Sequence, residues 1–320
     1  MKIYQQPQII TAMDLHIAAQ RVMQGFIAYS QGRVQVPPVQ NFLFTAANGD
    51  CCIKSAWIEG SENFVVKISS GFYDNPGKGL ASNDGLMLVL SAQTGQPQAL
   101  LQDAGWLTCI RTALAGQIVA KALAPSRVTA IGIVGTGVQA RMQLEQLMAV
   151  TDCRQVCVWG RQPAALDAYR DFAHALGFQV STTQDARQVA NQCNLIITTT
   201  PARAALLDSD WIQPGTHITA VGADSSGKQE LDPRLVARAD RVVVDSVQQC
   251  SQYGEVSHAL KQGLIQREQL LELGRLLQNP ELGRQHDRQI TLADLTGVAV
   301  QDAQIATYAM QACLAASAAA

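Results

Sequence analysis

The chain has 320 residues, 48% of them apolar and 16% charged, and 24 Lys and Arg against 26 Asp and Glu leave a formal net charge of −2. That balance excludes intrinsic disorder, and the lack of any basic run argues against a nucleic-acid partner, which needs a cationic face. No apolar stretch reaches the roughly 20 residues of a membrane helix, and the N-terminal MKIYQQPQIITAMDL carries no apolar leader, so no membrane partner is expected. A cytoplasmic protein of two domains is the expectation.

In chain order, Met13, Ile17, Val22, Phe26 and Ile27 share one face of a helix predicted over 13–30, and Pro37-Pro38 closes that unit. Short β-like runs follow: FLFTA, CCIKSAWI, NFVVKISSGF, LMLVLSA and QALLQDA, separated by turn chemistry at Asn48-Gly49-Asp50, Glu59-Gly60-Ser61, Asn75-Pro76-Gly77 and Thr94-Gly95. They predict a mostly antiparallel meander. Helical texture returns over 106–123 and stops at Pro125. From Arg127 the pattern becomes strand, turn, helix, repeated: VTAIGIVG, a helix over 138–150, VCVWG, a helix over 163–176, a strand near 178–181, a helix over 184–191, then LIITTT, HITAVGA and RVVVDS. Six buried-type strands alternating with helices predict a Rossmann-type, doubly wound parallel α/β sheet. The tail from about 257 reads as helical, and the Ala-rich helix over 298–318 is expected to pack back onto the first domain.

Cys51, Cys52, Cys109, Cys153, Cys157, Cys193, Cys250 and Cys313 form no CxxC pair, and His16, His174, His217, His258 and His286 are scattered. Reduced thiols and no metal site are expected.

The strongest chemical signal is Gly135-Thr136-Gly137-Val138-Gln139-Ala140, directly after an apolar strand and opening a helix. In that context the GxGxxA pattern reads as a dinucleotide site: one glycine for the turn, one for close approach of the pyrophosphate, and a small residue for helix–sheet packing. The next strand ends Trp159-Gly160-Arg161. The carboxylate that would bond a ribose 2′-hydroxyl is missing, and Arg161 suits a 2′-phosphate. NADP(H) is therefore preferred, with NAD(H) possible.

Together with VVKI at 65–68, GLAS at 79–82, LTCIRTA at 107–113, PGTH at 214–217, VGADSSGKQELD at 221–232 and GVAVQD at 297–302, these motifs run in an order and spacing that resemble the ornithine cyclodeaminase/mu-crystallin family along nearly the full chain. The resemblance implies a homodimer. Residues 1–124, completed by the C-terminal helix over 298–320, would form the substrate-binding and dimerisation domain. Residues 125–297 would form the NAD(P)-binding domain. It also implies hydride transfer at the α-carbon of an imino or amino acid, as in imino-acid reductases and an alanine dehydrogenase. The alternatives within its reach are a cyclodeaminase that makes a cyclic imino acid such as proline with release of ammonia, and a non-catalytic protein that binds the nicotinamide cofactor.

Residue by residue, the resemblance assigns the substrate carboxylate to Arg111, an active-site amine to Lys67 and acid–base work to Asp224. Chemistry agrees: a guanidinium binds a carboxylate in two-pronged fashion, and an α-carbon that gains or loses hydride needs a proton partner nearby. The cofactor is expected to draw on Ser82, Thr112, the loop from Gly135 to Ala140, Gly160, Arg161, Thr199, Thr200, Val221 and Asp224. Two departures bear on substrate. Gln40 stands near the position of a second carboxylate-binding arginine, and Lys54 stands where ornithine cyclodeaminase has a glutamate. A lysine beside the site disfavours a cationic amine, so a neutral or acidic imino acid fits better than ornithine.

Overall fold

The computed structural model, which describes residues 1–319, opens with strand β1 (Lys2–Gln5) and helix α1 (Gln6–Ala12). The helix predicted over 13–30 is confined to α2 (Leu15–Ser30), because the Asp14 carboxylate accepts from the His16 and Ile17 amides at 2.7 and 3.3 Å and caps its start. Strands β2 (Val34–Gln35), β3 (Gln40–Phe44), β4 (Gly49–Ile58), β5 (Asn63–Phe72), β6 (Asn83–Ser91) and β7 (Pro97–Gln102) follow. The sheet order is β1-β7-β6-β5-β4-β2, with β3 also paired to β4. β4 to β7 form the expected antiparallel meander, and β1 adds parallel to β7. Side chains alternate across the sheet, so Val65 and Lys67 of β5 are buried while Ile68 is exposed. Lys54 on β4 sits directly opposite Lys67.

Helix α3 (Trp106–Leu123) leads into β8 (Ile131–Val134), α4 (Val138–Leu147), β9 (Gln155–Trp159), α5 (Pro163–Ala175), β10 (Gln179–Thr183), α6 (Ala186–Gln192) and β11 (Leu195–Thr198). The chain continues through β12 (Arg203–Leu207), β13 (His217–Ala220), β14 (Gln229–Leu231), α7 (Pro233–Arg238), β15 (Arg241–Val244), α8 (Val247–Cys250) and α9 (Glu255–Lys261). It ends with β16 (Leu270–Glu272), α10 (Leu273–Gln278), β17 (Thr291–Asp294) and α11 (Ala299–Ala319). β12 and β14 make a separate two-stranded pair. The large sheet runs β10-β9-β8-β11-β13-β17-β15-β16, and every pairing in it is parallel. It is the doubly wound sheet expected, but with eight strands rather than six. The tail after 257 is not simply helical: it supplies β16 and β17, and β17 inserts between β13 and β15. Both are three or four residues long, too short for any periodicity to show.

Both faces of this sheet are covered. Ile131, Ile133, Val158 and Ile197 pack with Leu144 of α4 and Tyr169 of α5. Val134, Cys157, Ile196 and Ile218 pack with Val189 of α6 and Leu235 of α7. Two-sided burial is why these strands read as unbroken apolar runs.

The chain divides into two compact units, Met1–Arg111 with the segment from Val298, and Thr112–Gly297. The division falls inside α3 because that helix serves both: Arg111 pairs with Asp302 in the first unit, while Ala120 packs with Ile131 and Ile133 in the second. Helix α11 packs on the first unit, against α2 and the buried face of β4, β5 and β6. Among the described residues no helix is long and apolar enough to cross a membrane.

Candidate active site

In the first unit, the buried face of the meander carries Lys54 and Lys67, and α11 lies over that face. Asp302, in the first turn of α11, is the helix's single charged residue. Its carboxylate meets Lys67 Nζ at 3.0 Å through Oδ2 and Arg111 Nε at 2.9 Å through Oδ1. The positive end of the helix dipole favours an anion there. Burial by itself would raise the Asp302 carboxyl, but the Lys67, Arg111 and Lys54 charges overcome it and hold the group below its ordinary value. Burial lowers the Lys67 ammonium to about 8, with Asp302 opposing the shift and Arg111 and Lys54 adding to it. Asp103, just ahead of α3, accepts from the Leu107 amide at 2.7 Å through Oδ2, and burial lifts its carboxyl to about 6. Ala104, the next residue, holds a left-handed φ of +50° that non-glycine residues seldom adopt.

The structure thus brings Lys54, Lys67 and Arg111 together and adds two carboxylates, Asp302 and Asp103, which the sequence reading assigned no role. A signal for Asp302 existed: a lone acid in an otherwise uncharged Ala-rich helix must be paired if that helix is buried. Gln40 does not join the group. It pairs with Ile53, and paired residues share a face, so its side chain lies on the side of the sheet opposite Lys54. Ser82 is half-buried ahead of β6, and its carbonyl accepts from the Phe72 amide at 2.7 Å.

In the second unit, β8 is flanked by β9 and β11, where the strand order reverses, and the loop 135–137 leaves its carboxyl end there. Ligands bind at such switch points. Gly135 holds φ +127°, and a Cβ on it would stand 2.4 Å from Thr199 Oγ1, so no other residue fits. Gly137 is the N-cap of α4 and differs: a Cβ there would meet nothing within 4 Å. No side chain caps α4, and its first turn carries no acid. Open space above uncapped amides fits a pyrophosphate. Thr136 packs over Gly160, where a Cβ would stand 2.7 Å from Thr136 Cγ2. Val138 is exposed at the start of α4, Gln139 is half-buried, and Ala140 is buried against the sheet. Arg161 is exposed past β9, where its carbonyl accepts from Gln184 Nε2 at 2.8 Å.

The other expected cofactor residues mostly face protein. Thr112 O accepts from Gln143 Nε2 at 3.1 Å, and the Val221 amide donates to Thr198 O at 3.0 Å. The hydroxyl of Thr199 donates to Val134 O at 3.2 Å, and that of Thr200 to Glu230 Oε1 at 2.8 Å. Glu230 is a positioning residue the sequence reading missed. Its buried carboxylate also accepts from the Thr200 amide, Thr198 Oγ1 and the Gly222 amide at 2.6, 2.7 and 2.9 Å. It thereby ties the loop after β11 to the loop after β13. Burial lifts it to about 7 against those donors. Asp224 follows on that second loop, exposed and paired with Lys228 Nζ at 2.6 Å. Among the described residues no group of three or more His, Cys, Asp and Glu could hold a metal ion, and the eight cysteines are free thiols.

Comparison with known proteins gives consistent relationships. The model of the ornithine cyclodeaminase/mu-crystallin family matches residues 2–316. An uncharacterized cyclodeaminase, y4tK, of Sinorhizobium fredii is 42% identical over 282 residues, covering 87% of this chain and 85% of that protein. The structure of an archaeal alanine dehydrogenase dimer with bound NAD superposes with a TM-score of 0.90 at 31% identity, covering 99% of this chain and 97% of the other. The Delta(1)-pyrroline-2-carboxylate reductase of Thermococcus litoralis, in complex with NADH and L-proline, superposes with a TM-score of 0.92 at 28% identity, covering 99% and 98%.

Proposed function

The chain belongs to the ornithine cyclodeaminase/mu-crystallin family, and on that premise we propose that it is a nicotinamide-dependent oxidoreductase that transfers hydride at the α-carbon of an imino or amino acid. The buried Lys67–Asp302–Arg111 cluster carries the reading. A guanidinium presents five donors in a planar fork, a geometry that suits the carboxylate that every amino or imino acid carries. Asp302 fixes the positions of both cations. Lys67, brought to about 8, holds a proton on Nζ at neutral pH and can pass it to substrate, since proton transfer works best near the operating pH. Asp224 is proposed as the acid–base group of the second unit, with Lys228 setting its orientation. A bound reduced dinucleotide supplies the hydride. We assign its pyrophosphate to the amides opening α4 and its ribose 2′-phosphate to Arg161. That makes NADPH the preferred cofactor over NADH, with Gly160, Thr112 and Ser82 as further contacts.

A homodimer is the proposed assembly, as the archaeal relative is a dimer. The outward face of the meander supports it: Trp57, Phe64 and Val66 line a cavity of about 450 Å³, and Leu43 on β3 is 81% exposed. Exposed apolar surface of that kind marks an interface. Eight free thiols suit a reducing compartment, so the cytoplasm is the proposed location.

The test is a panel of imino and amino acids assayed in parallel for dinucleotide oxidation and ammonia release. Stoichiometric consumption of reduced dinucleotide supports the reductase. Ammonia release with no net change in dinucleotide would instead make it a cyclodeaminase, and binding without either signal a cofactor-binding protein.

A further inference from the structure

We propose that helix α9 is what positions Asp224: Glu255 and His258, one turn apart on that helix, hold the loop that carries it. The inference rests on the acid–base reading of Asp224 above and names the residues that serve it.

The loop runs over residues 221–228, between β13 and β14, and forms no helix or strand of its own. An exposed carboxylate on such a stretch is only as well placed as the fastenings at the loop's two ends. Three buried carboxylates supply them in series, each gripping backbone amides of the element that carries the next. Asp294, at the end of β17 in the large sheet, accepts from the Val256 amide at 3.0 Å and from the Glu255 amide, which fixes the start of α9. Glu255 accepts from the Glu230 and Leu231 amides at 2.7 and 2.9 Å, which fixes β14. Glu230 accepts from the Gly222 amide at 2.9 Å, which fixes where the loop begins. The same helix holds the far end. His258 is three residues on from Glu255, on the same face, and its Nε2 donates to the Lys228 carbonyl at 2.9 Å, since a carbonyl can only accept.

The series is costly in itself. Asp294, Glu255 and Glu230 are at most 1% exposed. Burial raises all three carboxyls, Asp294 to about 8 and Glu230 to about 7, and the Glu230 and Asp294 charges add to the rise in Glu255. Well-packed apolar residues would fold the sheet at least as stably. What the acids provide instead is direction, because a carboxylate binds two amides at once and fixes the backbone that bears them. The grip is close: a Cβ on Gly222 would stand 2.4 Å from Glu230 Oε2. Asp224 and its partner Lys228 both lie between these fastenings. A shift of about 1 Å in a group that transfers a proton costs up to roughly 100-fold in rate. The amides assigned to the pyrophosphate open α4 and belong to a different loop, so cofactor affinity should not depend on α9.

The experiment joins hydrogen exchange to kinetics on the full chain. Glu255→Gln keeps the size of the side chain but turns a donor towards one of the two amides. Exchange over residues 221–231, read by mass spectrometry, should quicken by about tenfold or more while residues 138–147 stay as they were. His258→Ala should quicken the same segment and decides in its place if Glu255→Gln does not fold. Turnover is measured with pyruvate plus ammonium and with 1-pyrroline-2-carboxylate, each with NADPH and NADH. Glu255→Gln should lower kcat by about 10- to 100-fold and leave KM and dinucleotide affinity within about twofold. On an Asp224→Asn background it should cost less than about threefold more, since both substitutions remove one function. Unchanged exchange over 221–231 overturns the proposal, and so does exchange raised throughout 112–297. A kcat loss that multiplies in full with that of Asp224→Asn also overturns it. A wild-type rate for Asp224→Asn removes the acid–base reading alone, and exchange then judges the grip. If neither acid turns over, exchange likewise decides, and quickening confined to 221–231 upholds the proposal.

Discussion

The ligand chemistry proposed for the two units is built from different materials. In the first unit it is made of side chains: Lys54 on β4, Lys67 on β5, Arg111 on α3 and Asp302 on α11, drawn from four places in the chain. In the second it is made of backbone, as the loop 135–137 and the amides of α4 lie within one short stretch. Backbone sites tolerate no change of shape but little depends on their charge. Side-chain sites invert that rule, and their charges must balance one another before any ligand arrives.

Substitutions can break each kind of site in its own way. Gly137→Val should have the largest effect: dinucleotide binding falls below detection by calorimetry while the fold survives, because the added side chain meets only the space the pyrophosphate needs. Gly135→Val should instead destabilise the protein, since its φ of +127° and the 2.4 Å approach to Thr199 Oγ1 forbid any side chain. Equal thermal stability of the two variants would erase this distinction.

On the side-chain site, Asp302→Ala leaves two buried cations without their shared partner. It should cost about 3–5 kcal/mol in denaturant unfolding, and a cost below about 1 kcal/mol would show the cluster to be hydrated and loosely held. Asp224→Asn should leave stability and dinucleotide affinity alone, because its carboxylate is exposed and paired with Lys228. It should lower kcat by roughly 10²- to 10⁴-fold, the usual worth of a positioned acid–base group, and a wild-type rate would remove Asp224 from the chemistry.

Smaller effects sharpen the same contrast. Arg161→Ala should weaken NADPH by about 10- to 100-fold and NADH little, as expected for one charged hydrogen bond to a phosphate. Equal losses for both cofactors would show that Arg161 does not read the 2′ position. Lys67 gives the gentlest signature, a pH profile. Its folded value of about 8 lies below the 10.5 of a free lysine, so raising the pH through 8 removes the ammonium. kcat/KM should then fall roughly tenfold per unit above that point, a limb that Lys67→Arg should shift to higher pH.

Legibility followed the same division. The GTGVQA loop was readable because strand, turn and helix adjoin in sequence, and the glycines report backbone geometry directly. The meander and α3 were readable from periodicity and turn residues. Three features were not. Asp14 sets the start of the first predicted helix at Leu15 by capping, and apolar spacing continues across such a cap. Strand β17 has four residues and enters the middle of the sheet from a stretch with no apolar run. Asp302 was visible as a letter within GVAVQD, but its partners lie 191 residues away at Arg111 and still further at Lys67.

Sequence alone determined the doubly wound sheet, the glycine loop between β8 and α4 and the missing carboxylate after β9, because each depends on neighbours a few residues apart. Tertiary structure decided which charges are buried together. Only strand pairing sets Lys54 opposite Lys67 and turns Gln40 to the other face, and only the return of α11 delivers the carboxylate that holds Lys67 and Arg111. The physical reason is range: local propensity acts over one or two turns, whereas a buried ion pair is specified by whichever distant elements the fold brings within about 4 Å.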